Sequence, residues 1–236
     1  MTILAVKDIH TYYGRSHILH GVSLDVNQGE VACLLGRNGA GKTTTIRSIM
    51  GLTPPRNGTV TFRGEVISGL KPHRIFEKGI KIVPQGRGIF PALSVEENLK
   101  LAMIKAKLKD PKAELEKVFR LFPNLSQKRR QRGGLLSGGQ LQMLAISRVL
   151  LGTTDLILMD EPTEGLAPLV VQSIAEVIGE INKTGCTIVL AEQNLKMALK
   201  VGSRHFIIDN GTIEYQGTSH DLRDNEKVKR TYLGVG

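Results

Sequence analysis

Two glycine-rich elements about a hundred residues apart, with a pair of carboxylates after the second, carry the chemistry of this 236-residue chain. The first runs Gly36-Arg37-Asn38-Gly39-Ala40-Gly41-Lys42-Thr43, after the apolar run Val31-Ala32-Cys33-Leu34-Leu35 and before a helix-like stretch from Thr44 to Met50. It matches G-x-x-x-x-G-K-[ST] in the strand, loop and helix setting that the pattern needs to cradle phosphate. Glycines reach positive φ and let successive backbone N–H groups approach an anion, and the dipole of the following helix favours the same charge. Lys42 is then expected to reach β- and γ-phosphates and Thr43 to ligate Mg²⁺.

Asp160 closes the apolar run Leu156-Ile157-Leu158-Met159. Such a run reads as a strand buried on both faces of a parallel sheet, and a carboxylate at its carboxyl end lies where ligands bind, placed to hold the metal through water. Glu161 follows on a different heading. It is the candidate to orient or deprotonate the water that attacks a γ-phosphate, a role worth about 10²–10⁴-fold in rate. The second glycine element is Leu136-Ser137-Gly138-Gly139-Gln140. Ser137 is a favourable N-cap for the periodic segment Gln140 to Leu150, so its hydroxyl and the N–H groups of Gly138 and Gly139 would form a second helix-terminal anion site.

In this order and spacing, the phosphate loop, the Ser137–Gln140 element and the Asp160-Glu161 pair resemble the ATP-binding-cassette family over essentially the whole chain. The resemblance implies ATP and Mg²⁺ as ligands and two such domains dimerised head to tail. Each ATP would then lie between the phosphate loop of one domain (Gly36 to Thr43, with Thr44) and the signature of the other (Ser137 to Gln140). It also implies that Tyr13, before Gly14, stacks on adenine. Tyr12 is the rival, since neighbours on a strand face opposite ways. Gln85, after the strand-like Ile80-Lys81-Ile82-Val83, resembles the glutamine that reaches metal and attacking water and senses a membrane partner.

Two positions depart from the common family pattern. Gln193 stands where most members have a histidine contacting the γ-phosphate, and an amide donates a hydrogen bond but takes up no charge near neutral pH. Ala167 stands where an aspartate usually acts across the dimer. Both departures, with Gln85-Gly86-Arg87-Gly88-Ile89-Phe90-Pro91 and Tyr232-Leu233-Gly234, resemble the ATPase subunits of branched-chain amino-acid importers, whose urea and amide relatives share most of these marks. The resemblance implies separate membrane permease subunits, a second ATPase subunit (a heteromer favoured over a homodimer), and a periplasmic or extracellular solute-binding protein. It places the chain on the cytoplasmic face of the inner membrane.

The elements that must hold these residues read as an α/β fold: a P-loop (RecA-like) core, an antiparallel edge sheet and an inserted helical subdomain, in one domain over residues 1–236. The main strands are Val31–Leu35, Ile80–Pro84, Leu156–Asp160 and Thr187–Ala191, with helices over Leu169–Asn182 and Leu195–Val201. Leu4–Ile9, Val22–Val26 and Thr59–Phe62 read as antiparallel edge strands, and His205–Asp209 and Thr212–Gln216 as a hairpin around Asn210-Gly211, a type I′ signal. Residues 86–136 read as the helical insertion: Ser94-Val95-Glu96-Glu97 is a capping box opening a helix toward Lys107, and a second pattern runs from Lys112 to Phe122.

The net charge of +10 is uneven, with twelve Lys/Arg against five Asp/Glu between Gly86 and Leu136. That bias suits anionic lipid headgroups or plain solubility. The cluster Lys128-Arg129-Arg130-Gln131-Arg132 has no interleaved aromatics for base stacking, so no nucleic-acid partner is expected. Nor is there a run of about eighteen apolar residues, so the membrane crossing is expected in another chain. Cys33 and Cys186 have no metal-ligand spacing and suit a reduced compartment. A GTPase reading fails on Asn182-Lys183-Thr184-Gly185, which lacks the aspartate of the guanine motif and precedes its strand.

Overall fold

The computed structural model describes residues 1–104 and 108–234. In chain order the strands are β1 (Thr2–Tyr13), β2 (Ser16–Asn27), β3 (Val31–Leu35), β4 (Asn57–Phe62), β5 (Glu65–Val66), β6 (Ile80–Val83), β7 (Leu156–Asp160), β8 (Thr187–Glu192), β9 (Arg204–Asp209) and β10 (Thr212–Thr218). The principal helices are α1 (Lys42–Ile49), α2 (Pro72–Glu77), α3 (Val95–Met103), α4 (Pro111–Leu121), α5 (Pro123–Ser126), α6 (Gly138–Val149), α7 (Pro168–Lys183), α8 (Leu195–Val201) and α9 (Ser219–Asp224).

Two sheets form. The larger has the order β10-β9-β3-β8-β7-β6, parallel from β9 through β6 with β10 antiparallel at the edge; the smaller has the order β2-β1-β4-β5 and is wholly antiparallel. Side chains alternate between the faces of the large sheet because successive Cβ atoms point opposite ways. Cys33, Leu35, Ile157, Met159, Ile188 and Leu190 enter one core beneath the helices α3, α4, α6, α7 and α8. Their neighbours Ala32, Leu34, Leu156, Leu158, Val189 and Ala191 enter a second core with the small sheet and α1. Every residue of β3, β7 and β8 is buried, which explains why these strands read as continuous apolar runs.

The expected edge strands are therefore a layer of their own across α1. Strand β1 is also longer than Leu4–Ile9. Asp8 takes a positive φ of 50°, and the pairing register slips between Val6 and Ile9, so the apolar alternation breaks although the strand continues to Tyr13. The hairpin turn holds Asn210 and Gly211 at φ of 44° and 79°, as a type I′ turn requires.

Helix α3 opens on the expected capping box, Ser94 accepting from Glu97 N–H while Glu97 accepts from Ser94 N–H. Its expected extension to Lys107 falls on residues 105–107, outside the described residues. The buried amide of Asn98 accepts from Phe90 N–H and donates to the carbonyls of Phe90, Leu93 and Ser94, fastening the segment after Gln85 onto α3. Arg129, from the basic cluster, bonds Glu96 and Glu116 and lies 4.3 Å over the Phe119 ring, so it braces helices.

His205 on β9 is fully buried, with Nε2 against Ser219 Oγ at 2.8 Å, and burial lowers its pKa to about 4. The unfolded chain, with a histidine near 6.5, then binds more protons than the folded one between those values. Stability should fall as pH drops from about 6.5 toward 4, by about 3 kcal/mol at the limit. His205→Gln should flatten that limb of a pH series of thermal melts; an unaltered limb would show that His205 does not set it.

Candidate functional site

The phosphate loop leaves β3 at its carboxyl end and enters α1. Its glycines are demanded by neighbours: a Cβ on Gly36 would lie 2.4 Å from the Ile208 carbonyl, and Gly41 sits at φ +116° against Leu19 and Ile208. Gly39 has φ +83°. The hairpin turn clamps the loop from the side, Gly211 N–H donating to the Ala40 carbonyl at 2.9 Å. Arg37 and Asn38 are exposed, and Arg37 reaches the Thr231 carbonyl at 3.4 Å. No side chain caps α1, whose first N–H groups have no partner within the helix. An uncapped helix start behind glycines, with a lysine beside it, fits a phosphate chain.

Lys42 is 3% exposed. Its ammonium donates to the Gly36 and Arg37 carbonyls at 2.8 and 2.9 Å and pairs with Glu161 Oε1 at 2.9 Å. Thr43 Oγ1 donates to Asp160 Oδ1 at 3.0 Å, bringing together two hard oxygens of the kind Mg²⁺ prefers. Burial raises the pKa of Asp160 and the Thr43 hydrogen bond opposes the rise. Buried Thr44 accepts from Ser48 Oγ at its carbonyl, and its N–H is among the first of α1, which have no acceptor within the helix.

Glu161 has φ +48°, rare for a side chain of this size. That left-handed turn at the end of β7 sends Glu161 toward Lys42 while Asp160 points at Thr43. Gln85 completes the group: its amide donates to Glu161 Oε2 at 3.3 Å and to Glu164 Oε2 at 2.8 Å. Gln193 is exposed after β8 and shares with Glu161 and Glu164 a cavity of about 420 Å³.

Lys42, Thr43, Gln85, Asp160 and Glu161 thus meet directly, and Gln193 borders them. The Ser137–Gln140 element is elsewhere. Ser137 and Gln140 form a reciprocal capping box on α6, and the nearest neighbours of Gly138 and Gly139 are Leu166, Arg87 and Val170. Among the described residues no hydrogen bond joins it to the phosphate loop. Helix α6 begins at Gly138 because Ser137 caps it, two residues ahead of the expected Gln140.

Two further residues, outside the sequence motifs, also belong here. Glu164 holds Gln85, and buried Glu192 accepts from the turn after Glu161. Glu192 closes an apolar strand just as Asp160 does, a signal that was legible.

The sequence pattern of the family described as ABC transporter matches residues 19–164. The chain belongs to the ABC transporter ATPase family. It is 40% identical over 98% of its length to BraG, a high-affinity branched-chain amino acid transport ATP-binding protein of Pseudomonas aeruginosa, all of which it covers. It is 36% identical over 99% of its length to the lipopolysaccharide export ATP-binding protein LptB of Haemophilus influenzae, covering 98% of that protein. A crystal structure of a nucleotide-free ATP-binding cassette superposes with a TM-score of 0.84 at 28% identity, with full coverage of both chains. This ABC ATPase binds and hydrolyses ATP and works with membrane permease subunits; none of its described helices is long and apolar enough to cross a membrane.

The two candidate adenine platforms of the ATPase differ. Tyr12 is occupied, stacked on His17 at 4.1 Å with Arg56 4.3 Å over its ring, whereas Tyr13 is 43% exposed at the strand end. Tyr13→Ala should raise the ATP Kd about tenfold, the range for loss of one base stack, in a fluorescence titration. Tyr12→Ala should lower the melting temperature and leave Kd within about threefold; the reverse pattern would assign the platform to Tyr12.

Proposed function

We propose that this chain energises the import of branched-chain amino acids, paired with a second ATPase subunit on the cytoplasmic face of the inner membrane. The solute class rests on the BraG likeness together with Gln193, Ala167 and the stretch around Gln85. The observation that carries the site is the Lys42–Glu161–Gln85 contact set, which gathers a phosphate-binding cation, a carboxylate and a polar amide at the carboxyl end of β7.

ATP binds with its adenine on Tyr13 and its phosphates on the N–H groups of residues 36–44. Lys42 exchanges Glu161 and the two loop carbonyls for β- and γ-phosphate oxygens, which releases the Glu161 carboxylate toward the attacking water. Thr43 and Asp160 would hold Mg²⁺, with Gln85 beside them, and the ion supplies charge neutralisation of the phosphates. Glu161 orients that water and accepts its proton; Gln193 donates a hydrogen bond to the γ-phosphate. Ser137, Gly138, Gly139 and Gln140 serve the ATP of the partner subunit. That their side-chain hydrogen bonds among the described residues are to each other and none is to this chain's own loop supports that division. Residues 86–136 act as the helical arm that carries this signature.

The membrane partner seats beside Gln85. A groove of about 540 Å³ there is lined by Phe76, Ile82, Leu101, Ile104, Arg87 and Arg148, and Phe90 is exposed nearby. An apolar groove rimmed by arginines suits a short amphipathic helix of the permease, and a solute-binding protein joins only through that complex. Arg129 is spent on Glu96, Glu116 and Phe119, which removes one of the four basic side chains of the Lys128–Arg132 cluster from any nucleic-acid contact.

Glu161→Gln should keep ATP binding, trap an ATP-bound dimer on gel filtration and lower hydrolysis by about 10²–10⁴-fold. Unchanged turnover would remove Glu161 from the reaction. Lys42→Ala should instead weaken ATP binding itself. Phe90→Asp with Ile104→Asp should abolish copurification of the permease while leaving basal hydrolysis within about twofold; an intact complex would place the partner elsewhere.

A further inference from the structure

Glu192 is the last residue of β8, is 2% exposed, and has no part in the chemistry described so far. Its carboxylate nevertheless receives four hydrogen bonds. Oε1 accepts from Thr163 N–H at 3.1 Å and from Thr163 Oγ1 at 2.5 Å; Oε2 accepts from Gln193 N–H at 3.0 Å and from Asn194 N–H at 3.1 Å. The two oxygens therefore serve two different segments. One is the turn two residues beyond Glu161, and the other carries Gln193. A third tie runs alongside, Glu161 N–H donating to the Ala191 carbonyl at 2.9 Å. Beyond Gln193, Asn194 caps α8 by accepting from Met197 N–H, so the second segment is anchored at both ends.

Four donors on two oxygens describe an ionised carboxylate acting only as acceptor. Burial is the largest influence and raises the pKa of Glu192, while the Thr163 hydroxyl and the three N–H groups counter the rise. A glutamine is a poor substitute, because whichever way it turns its NH₂ faces N–H donors on one side and leaves them without their acceptor. A carboxylate that served only to stabilise the chain end of β8 would need no such division between two turns.

We propose that Glu192 is a positioning residue for ATP hydrolysis, its carboxylate tying the turn of Glu161 to the turn of Gln193 so that both groups keep one geometry about the γ-phosphate. The inference rests on the roles of Glu161 and Gln193 proposed above. In this arrangement the two sides of the reacting phosphoryl group move as one body, and loss of the tie leaves each loop in place but unregistered to the other. A misplacement of about 1 Å at a reacting group costs about 10²-fold in rate.

The test uses the full chain and MgATP, with steady-state kcat and KM, nucleotide Kd and a thermal melt for each variant. Glu192→Gln should lower kcat by about ten- to a hundredfold with KM and Kd within about threefold. Thr163→Val, which removes a single donor and keeps the shape, should lower kcat by a smaller factor at near-unchanged melting temperature. In a Gln193→Ala background, Glu192→Gln should cost markedly less than it does alone, since the register it provides is already without use. The inference is overturned if both variants melt early yet turn over at the normal rate per folded molecule, or if the Glu192→Gln loss persists in full in the Gln193→Ala background. Glu161→Gln run in parallel separates the two levels. If that variant is inactive while Glu192→Gln is normal, only the positioning role falls; if it retains full turnover, the underlying site reading falls.

Discussion

The parallel pairing of β8 between β3 and β7 is the constraint on which the site depends. Leu35 lies opposite Glu192, and Asp160 opposite Ala191, so three strands end at one level. Each turns into a different segment of the candidate site there: the glycine-rich loop after β3, the Glu161 turn after β7 and the Gln193 turn after β8. Evenly spaced parallel hydrogen bonds fix the relative height of the three ends, and burial on both faces prevents a slip of register, which would exchange one core for the other. Residues from positions 42 to 193 meet because of that pairing.

Strand ends buried in this way gather charge where water is scarce, and the structure answers each charge with a specific partner. Lys42 and Glu161 satisfy one another, Asp160 takes the Thr43 hydroxyl, and Glu192 takes two turns. Buried charges so paired do little for net stability, because desolvation offsets their attraction, but removing one partner leaves the other stranded. The same contacts hold the Lys42 ammonium and the Glu161 carboxylate side by side at the strand ends. Electrostatic preorganisation of this kind is the main resource available for phosphoryl transfer, in which the protein does little covalent chemistry.

Link by link, the helical layer is joined to that centre through polar side chains. Arg87, two residues beyond Gln85, holds φ 61° and donates through Nε to Gln142 of α6 at 3.3 Å, and a Cβ on Gly138 would lie 3.8 Å from its guanidinium. The segment that meets Glu161 is thus physically continuous with α6, the helix that Ser137 caps. Asn98 fixes its far end to α3. A shift of the helical layer has a material route to Gln85, and through Gln85 to both Glu161 and Glu164.

Much of this was legible in the amino-acid order, for a physical reason. The phosphate loop, the Ser137 cap, the strand-closing Asp160 and the Asn210-Gly211 turn are local devices, in which backbone conformation and the group it presents are set by residues a few positions apart. Buried strands were legible because burial on both faces admits only apolar side chains. What the order of residues left open is what depends on distant partners. The bulge at Asp8 hid the length of β1, the His17 and Arg56 side chains cover the Tyr12 ring while Tyr13 is exposed, and the third dimension alone gave Glu192 and Glu164 their partners. Motif chemistry is written locally; the register between motifs is a property of the sheet, whose pairings join positions far apart in the chain.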